Sequence, residues 1–304
     1  PAVADGFKSM TTGKGPYGFA IKGNYFGILY NKDIFAQAGI AEFPKTLDAL
    51  EDACKKISAL GVKPFTTGMA EWWVFKHTTM NFFGSASDNP VQLTADFESG
   101  KAKFKDYPRL YNDMFRFLDL VKQYGDDKPL ETFLSQEVAA FANGQAAMTV
   151  GQGAWIEEDS LKINPNLKIG FAGYPISNNP ADCKVVTGAD QAMRVSNQSK
   201  HEKELLDFVN WWYTSDYGKA WFADVAKVVS PLVGGSNPAG LVVPADGAAL
   251  VAKDGSLPLT IVYSTDAFWT KFGEDLQAYM GGSMSKDEVC AQIEKDWVAI
   301  DGAQ

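Results

Sequence analysis

Three short stretches of this chain set an aromatic ring beside an acid. Glu71 directly precedes Trp72 and Trp73 in AEWWVFKH, Trp155 is followed by Glu157 in GQGAWIEE, and Asp266 precedes Phe268 and Trp269 in DAFW. Such pairings suit sugars, whose flat C–H faces pack on rings and whose hydroxyl rims donate to carboxylates or amides. A charged acceptor makes the stronger bond. Adjacent residues point in different directions on a helix or a strand, so one core cannot easily take both Trp72 and Trp73. Either one ring is core and the other displayed, or both line a cavity. GQGAW puts Trp155 on a tight turn at a strand end, where side chains tend to be displayed. Trp269 falls near the start of a helix that follows a broken loop. Trp211 and Trp212, inside a regular amphipathic helix, read as core.

Catalytic constellations find little material. There are two histidines, His77 and His201, with no HExxH and no Cys/His cluster, so no metal site and no cofactor is expected. No GxSxG elbow and no GxxxxGK[ST] loop is present. GKGPYG (13–18) lacks GxGxxG spacing and reads as a surface turn. Paired acids alone would serve a glycosidase, and Glu157-Glu158-Asp159 is the obvious group. As consecutive charges after a turn they read instead as a solvated helix start.

The 304 residues are 46% hydrophobic and 21% charged, with net charge −9 and a pI near 4.8. That length suits two lobes. The acidic balance argues against nucleic acid and against anionic membrane surfaces, both of which select Lys and Arg. No apolar run reaches the roughly 20 residues that span a bilayer. The chain opens on PAVADGFKSM, without a start methionine or a signal-peptide pattern, so position 1 is not expected to begin the natural gene product. Cys54, Cys183 and Cys290 show no metal spacing; Cys54 and Cys290 either pair or remain buried thiols. A large core absorbs most of the 11 Tyr, 20 Phe and eight Trp, but eight tryptophans leave some available for a binding surface.

The elements that must carry these residues alternate strand and helix, which defines an α/β class. YGFAIKGNYFGILYN (17–31) reads as strands, then a short helix capped by Asn31 and stopped by Gly39. Thr46 caps a helix whose Leu47, Leu50, Cys54, Ile57 and Leu60 share one face. VKPFTTGMA is a strand leading to the tryptophan pair. Helices are expected over 107–124 and 129–142, strands over 146–151, 167–174 and 192–196, and helices over 201–227, 264–279 and 285–300.

LYNKDIFAQAGI with FPKTLDALEDACKKISALGVKPF, FANGQAAMTVGQGAW, and DAFWTKFGEDLQAYMGG with a helix ending EKDW resemble the extracellular solute-binding protein family 1 of ABC importers, the maltose-binding-protein-like family. Leu47 stands where the family usually has tryptophan. The resemblance runs from about Tyr17 to Ile300. It implies a periplasmic-binding-protein-like (type II) α/β fold, two lobes joined by a hinge, with ligand in the cleft between them. Carried over by position, Glu71 and Trp73 match the family's acid and aromatic contacts, Trp155 its turn tryptophan, and Trp269, with Phe268, its stacking pair. Trp72 is a second platform or a core residue. Asp190, in TGADQAM, and Asn24, near the first hinge crossing, match more loosely.

The family carries roughly one hundred further residues, about one small domain, before this point. Residues 1–20 and 195–229 are therefore expected to be the remainder of an N-terminal lobe, and 21–194 with 230–304 the C-terminal lobe. The first part of the N-terminal lobe is expected as another segment of the natural protein. The function implied is that of an ABC transporter's substrate-binding component. It would be a monomer outside the cytoplasm, periplasmic or lipid-anchored, delivering an oligosaccharide to permease subunits by hinge closure. The rivals are a glycosidase or polysaccharide lyase using the same aromatics, and an adhesive module. Other solutes of the family, such as glycerol phosphates, polyamines and metals, want a more strongly charged cleft.

Overall fold

Asn31 ends a strand and starts a helix at once: its Oδ1 accepts from the backbone of Asp33 at 3.0 Å and Ile34 at 3.2 Å, satisfying donors that a helix start leaves free. The same economy recurs at Thr46, whose hydroxyl accepts from Ala49, and at Ser285, which forms a capping box with Glu288. The computed structural model describes residues 18–302, together with Val3, Ala4, Phe7, Lys8 and a short two-stranded pairing, β1 (Thr11–Thr12) with β2 (Gly15–Pro16). The part of GKGPYG at Gly13, Lys14 and Tyr17 lies outside the described residues, as does most of 1–17.

Seven further strands form two sheets. They are β3 (Phe19–Phe26), β4 (Ile28–Asn31), β5 (Lys63–Thr67), β6 (Ala146–Val150), β7 (Ile169–Ala172), β8 (Val185–Met193) and β9 (Ser256–Pro258). One sheet has the order β5-β6-β4-β7, with β5 and β6 parallel and β4 antiparallel to both its neighbours. The other has the order β3-β8-β9. The chain crosses from one sheet to the other at Gly27, between β3 and β4.

The helices are α1 (Lys32–Gln37), α2 (Leu47–Ser58), α3 (Trp72–Ser85), α4 (Pro90–Glu98), α5 (Phe115–Tyr124), α6 (Leu134–Ala142), α7 (Trp155–Ile163), α8 (Glu202–Thr214), α9 (Asp216–Asp224), α10 (Val242–Asp254), α11 (Asp266–Met280) and α12 (Lys286–Asp301). Leu47, Leu50, Cys54 and Ile57 are buried as the helical spacing predicts, while Leu60 lies past the helix end and is exposed. The helix expected over 107–124 begins with a wider-wound turn, Arg109–Met114, before α5, and the one over 129–142 splits into a short turn and α6. Ser215 divides 201–227 into α8 and α9, accepting from Gly218 as the cap of the second.

Four expectations are corrected. The strand assigned to 192–196 is β8, which starts at Val185 and pairs along the length of β3. Helix α10 escapes detection because Pro244 and Gly247 interrupt its pattern; Pro244 sits in the first turn, where it is tolerated. A Cβ at Gly247 would meet the Tyr25 ring at 2.5 Å. Trp211 is not core but 47% exposed, with Trp212 half-buried beside it. The alternative left open for the cysteines resolves to free thiols, as the second reading had it, with Cys54 and Cys290 within the core.

Phe268 and Trp269 are the fourth. Both are fully buried in α11, stacked among Phe83, Phe272 and Trp297. The Trp269 indole N–H donates to the Ile261 carbonyl at 2.7 Å. Ring burial and a satisfied N–H make them structural residues of the main core, which α3, α11 and α12 share.

Candidate functional site

Parallel neighbours β5 and β6 end side by side, and each is followed by a helix whose first turn carries a tryptophan. Trp73 is the second residue of α3, and Trp155 the first of α7. The pairing of Thr67 with Val150 therefore brings together two residues 82 positions apart, at the carboxyl ends of strands, where open α/β sheets place their ligands. The ring centroids are 6.4 Å apart at 66°, an edge-to-face arrangement. Both rings are partly exposed.

His77, one helical turn after Trp73, closes a third side at 5.4 Å from Trp73 and 6.0 Å from Trp155. Phe26 lies beneath, 5.8 Å from Trp155 and 5.0 Å from His77. His77 is buried and its Nδ1 has no partner among the described residues. Burial pushes its pKa down to about 4; Asp190 opposes that, and Lys76 and Lys22 add to it. At neutral pH the imidazole is an uncharged wall of the cluster.

The polar side comes from β3 and β8. Lys22 Nζ stands 5.0 Å over the Trp155 ring and 3.0 Å from Asp190 Oδ2. Asn24 Nδ2 donates to the same Asp190 oxygen at 3.3 Å. The Asn24 Oδ1 accepts from the backbone of Tyr25 and Ala154, the latter at 3.1 Å, and so ties β3 to the turn carrying Trp155. That turn needs glycine twice. Gly151 has φ 77°, and a Cβ on Gly153 would stand 2.5 Å from the Trp155 ring and 2.6 Å from Asn24.

Of the residues singled out in the sequence, the fold thus gathers Trp73, Trp155, Asp190 and Asn24. Trp72 is not in the ring cluster: its backbone and Cβ abut Gly273 of α11, and Lys76 Nζ stands 5.0 Å over its ring. Glu71 is the cap residue of α3, makes no side-chain capping bond and is half-buried. Glu157 turns away: its carboxylate accepts from Val242 at 2.5 Å and Val243 at 2.7 Å, capping α10. It is a buried cap and not the solvated helix start that its neighbours suggest.

Lys22, Phe26, His77 and Gln152 complete the cluster. Lys22, Asn24 and Phe26 recur every second residue along β3, and that alternation was a usable signal. Gln152 offered none, since its place depends on the turn geometry. Among the described residues no group of His, Cys, Asp and Glu is arranged to hold a metal ion. Asp190 is the carboxylate beside the two rings and Lys22 neutralises it, while a second, Glu137, meets the cluster only behind Gln152.

Residues 1–219 match the model of the bacterial extracellular solute-binding protein family. The chain belongs to this family. Among curated relatives, a binding protein of Brucella abortus (strain 2308) is 25% identical over 216 residues, 69% of this chain and 49% of that one. The melibiose/raffinose/stachyose-binding protein MelE of Bacillus subtilis (strain 168) is 23% identical over 203 residues, 64% of this chain and 46% of that one. The chain spans about half the length of these curated relatives. Among solved structures, a chitin oligosaccharide binding protein superposes with a TM-score of 0.81 at 20% identity, over 97% of this chain and 74% of that one. The solute-binding protein RafE, solved with raffinose, gives 0.78 at 22% identity, over 99% and 77%. The two-sheet architecture is therefore the periplasmic-binding-protein-like α/β fold. No helix among the described residues is long and apolar enough to cross a membrane.

Proposed function

We propose that this protein is the carbohydrate-binding component of an ABC importer, which holds an oligosaccharide against Trp73 and Trp155 and delivers it to a membrane permease from outside the cytoplasm. The observation that carries the reading is the partly exposed, edge-to-face Trp73–Trp155 pair, with Lys22, Asn24 and Asp190 beside it. Rings supply faces for sugar C–H groups and the polar trio supplies partners for hydroxyls. Relatives and fold neighbours named for raffinose, stachyose and chitin oligosaccharides support the same substrate class. A non-enzymatic role follows the family, and a neutralised Asp190 is a poor half of a two-carboxylate hydrolytic pair.

In this reading residues 1–20 and 195–229 belong to a second lobe, and β3 and β8 form crossings between the two. The other wall of the cleft is then supplied by a preceding segment of the natural protein. The support is an aromatic face on α8 and α9, where Phe208, Trp211 and Tyr217 are exposed and Trp211 stacks on Tyr217 at 6.0 Å. Contiguous exposed rings of this size mark surfaces that something covers. A mass of about 33 kDa for the intact natural protein, the mass of this chain, would overturn that part.

Closure would be favoured because only the closed state lets both lobes touch sugar. Isothermal titration with stachyose, raffinose and chitin oligosaccharides, using the natural full-length protein, tests the function. Micromolar binding with the sugar recovered intact supports it. Cleaved sugar supports the enzyme rival, and no heat with any of the three removes the oligosaccharide assignment.

A further inference from the structure

Glu137 is a fully buried acid on α6 that the proposed ligand site does not touch. Its Oε2 accepts from Gln152 Nε2 at 2.6 Å, and Gln152 Oε1 in turn accepts from the Trp155 indole N–H at 3.0 Å. We propose that Glu137 is a positioning residue: acting through Gln152, it fixes the orientation of the Trp155 ring in the ligand site. The inference rests on the reading of Trp155 as a ligand contact only for its functional meaning; the relay itself stands on geometry.

An indole N–H can only donate, so the Gln152 amide must turn its oxygen toward Trp155. Its NH2 then faces the opposite way and needs an acceptor. Gln152 is fully buried, so water offers no substitute. Glu137 is that acceptor. Without it the orientation that serves the indole leaves the buried NH2 with no acceptor, while the reversed amide would set donor against donor at the indole. The ring would then have to rotate away from Trp73, His77 and Phe26.

The Gln152 backbone is itself fixed by a bridge to Gly27, which leaves the side-chain amide as the free variable. Glu137 Oε1 is buried with no partner among the described residues. Burial pushes this carboxyl well above the usual range, and Asp126 adds to that. Tyr174 is a further titratable group near it, and its hydroxyl accepts from the Gly151 N–H at 3.1 Å. A neutral acid still offers a carbonyl oxygen to Gln152, and so would a glutamine side chain.

The test is the Trp155 indole signal in a two-dimensional NMR spectrum of protein labelled with 15N-tryptophan, assigned by its loss in W155F. In E137L and in Q152M the Trp155 signal is expected to move away from its wild-type position, while in E137Q it stays. Stachyose affinity should fall about tenfold in E137L and Q152M, the equivalent of one lost hydrogen bond at 1.4 kcal/mol, and hold within about twofold in E137Q. An unmoved signal in both E137L and Q152M overturns the relay, and so does an E137Q signal displaced as far as that of E137L. If E137L does not fold, Q152M breaks the same relay from its other member. A responding signal in a protein that binds no oligosaccharide upholds the relay and removes the sugar reading.

Discussion

Lys22 and Asp190 form an ion pair, 3.0 Å from Nζ to Oδ2, across the antiparallel strands β3 and β8, beside a β-bulge that shifts the register at Lys22. Bulges recur next to functional sites because they re-aim a side chain, and this one leaves the ammonium over the Trp155 ring. Both side chains are largely shielded from solvent, so the pair lies between the exposed and fully buried extremes. Replacing Asp190 by asparagine should cost about 1–2 kcal/mol of stability and weaken oligosaccharide binding. Urea unfolding and titration calorimetry read the two effects; an unchanged midpoint with unchanged affinity would show the pair to be idle.

Two tryptophans with similar sequence settings should respond in opposite ways. W73A is expected to lose sugar affinity by about tenfold, near 1.4 kcal/mol for a stacking ring, and to melt close to wild type. W269A should lose about 3–5 kcal/mol of stability, because it empties a full core position. Melting curves alongside calorimetry separate the cases, and a W269A protein that melts normally but binds no sugar would reverse the assignment.

His77 makes stability depend on pH. Its folded pKa of about 4 lies below the ordinary 6.5, so the native state resists protonation. The stabilisation is complete above about pH 6.5 and is lost as pH falls toward 4, worth up to about 3 kcal/mol. Burial raises Glu137 and lifts Asp275 to about 6; such acids stabilise the fold as pH falls, the opposite direction. The comparison is therefore between wild type and H77Q. Wild type should lose stability relative to the variant between pH 7 and pH 4.5, and parallel unfolding curves at both pH values would refute it.

Gly153 admits no side chain. G153A would drive a methyl into the Trp155 ring and the Asn24 amide, both held by hydrogen bonds, and the turn should give way. A loss of about 1–3 kcal/mol in stability is expected, as for overpacked sites, with sugar binding reduced at least as much as in W73A. Retained affinity in a folded G153A protein would mean that ligand does not approach over this turn.

Much of this was written in local sequence. Caps at Asn31, Thr46 and Ser285 and the spacing of Leu47, Leu50, Cys54 and Ile57 depend on neighbours a few residues away, so they could be read directly. The site could be read only in part. GQGAW announced a displayed tryptophan, but the partner of Asp190 is Lys22, set by strand pairing over 168 residues. Trp269 shows the converse. Its setting at a helix start after a loop looked exposed, and only the packing of α3 and α12 against α11 buries it. Glu157 deceives for the same reason, since the helix that it caps begins 85 residues later.

The eight tryptophans have a spectroscopic consequence. Trp269 and Trp297 sit in an apolar interior and will emit at the blue edge of the protein's fluorescence, while Trp211, wherever the α8 face is left uncovered, will emit at the red edge. Trp73 and Trp155 lie between these extremes, so a ligand that covers them will change the middle of the band and leave both edges in place. Anything that settles on the α8 face will draw in the red edge, whatever it does to half-buried Trp212 beside it. One emission spectrum, resolved by wavelength, can therefore tell which of the two surfaces has been occupied.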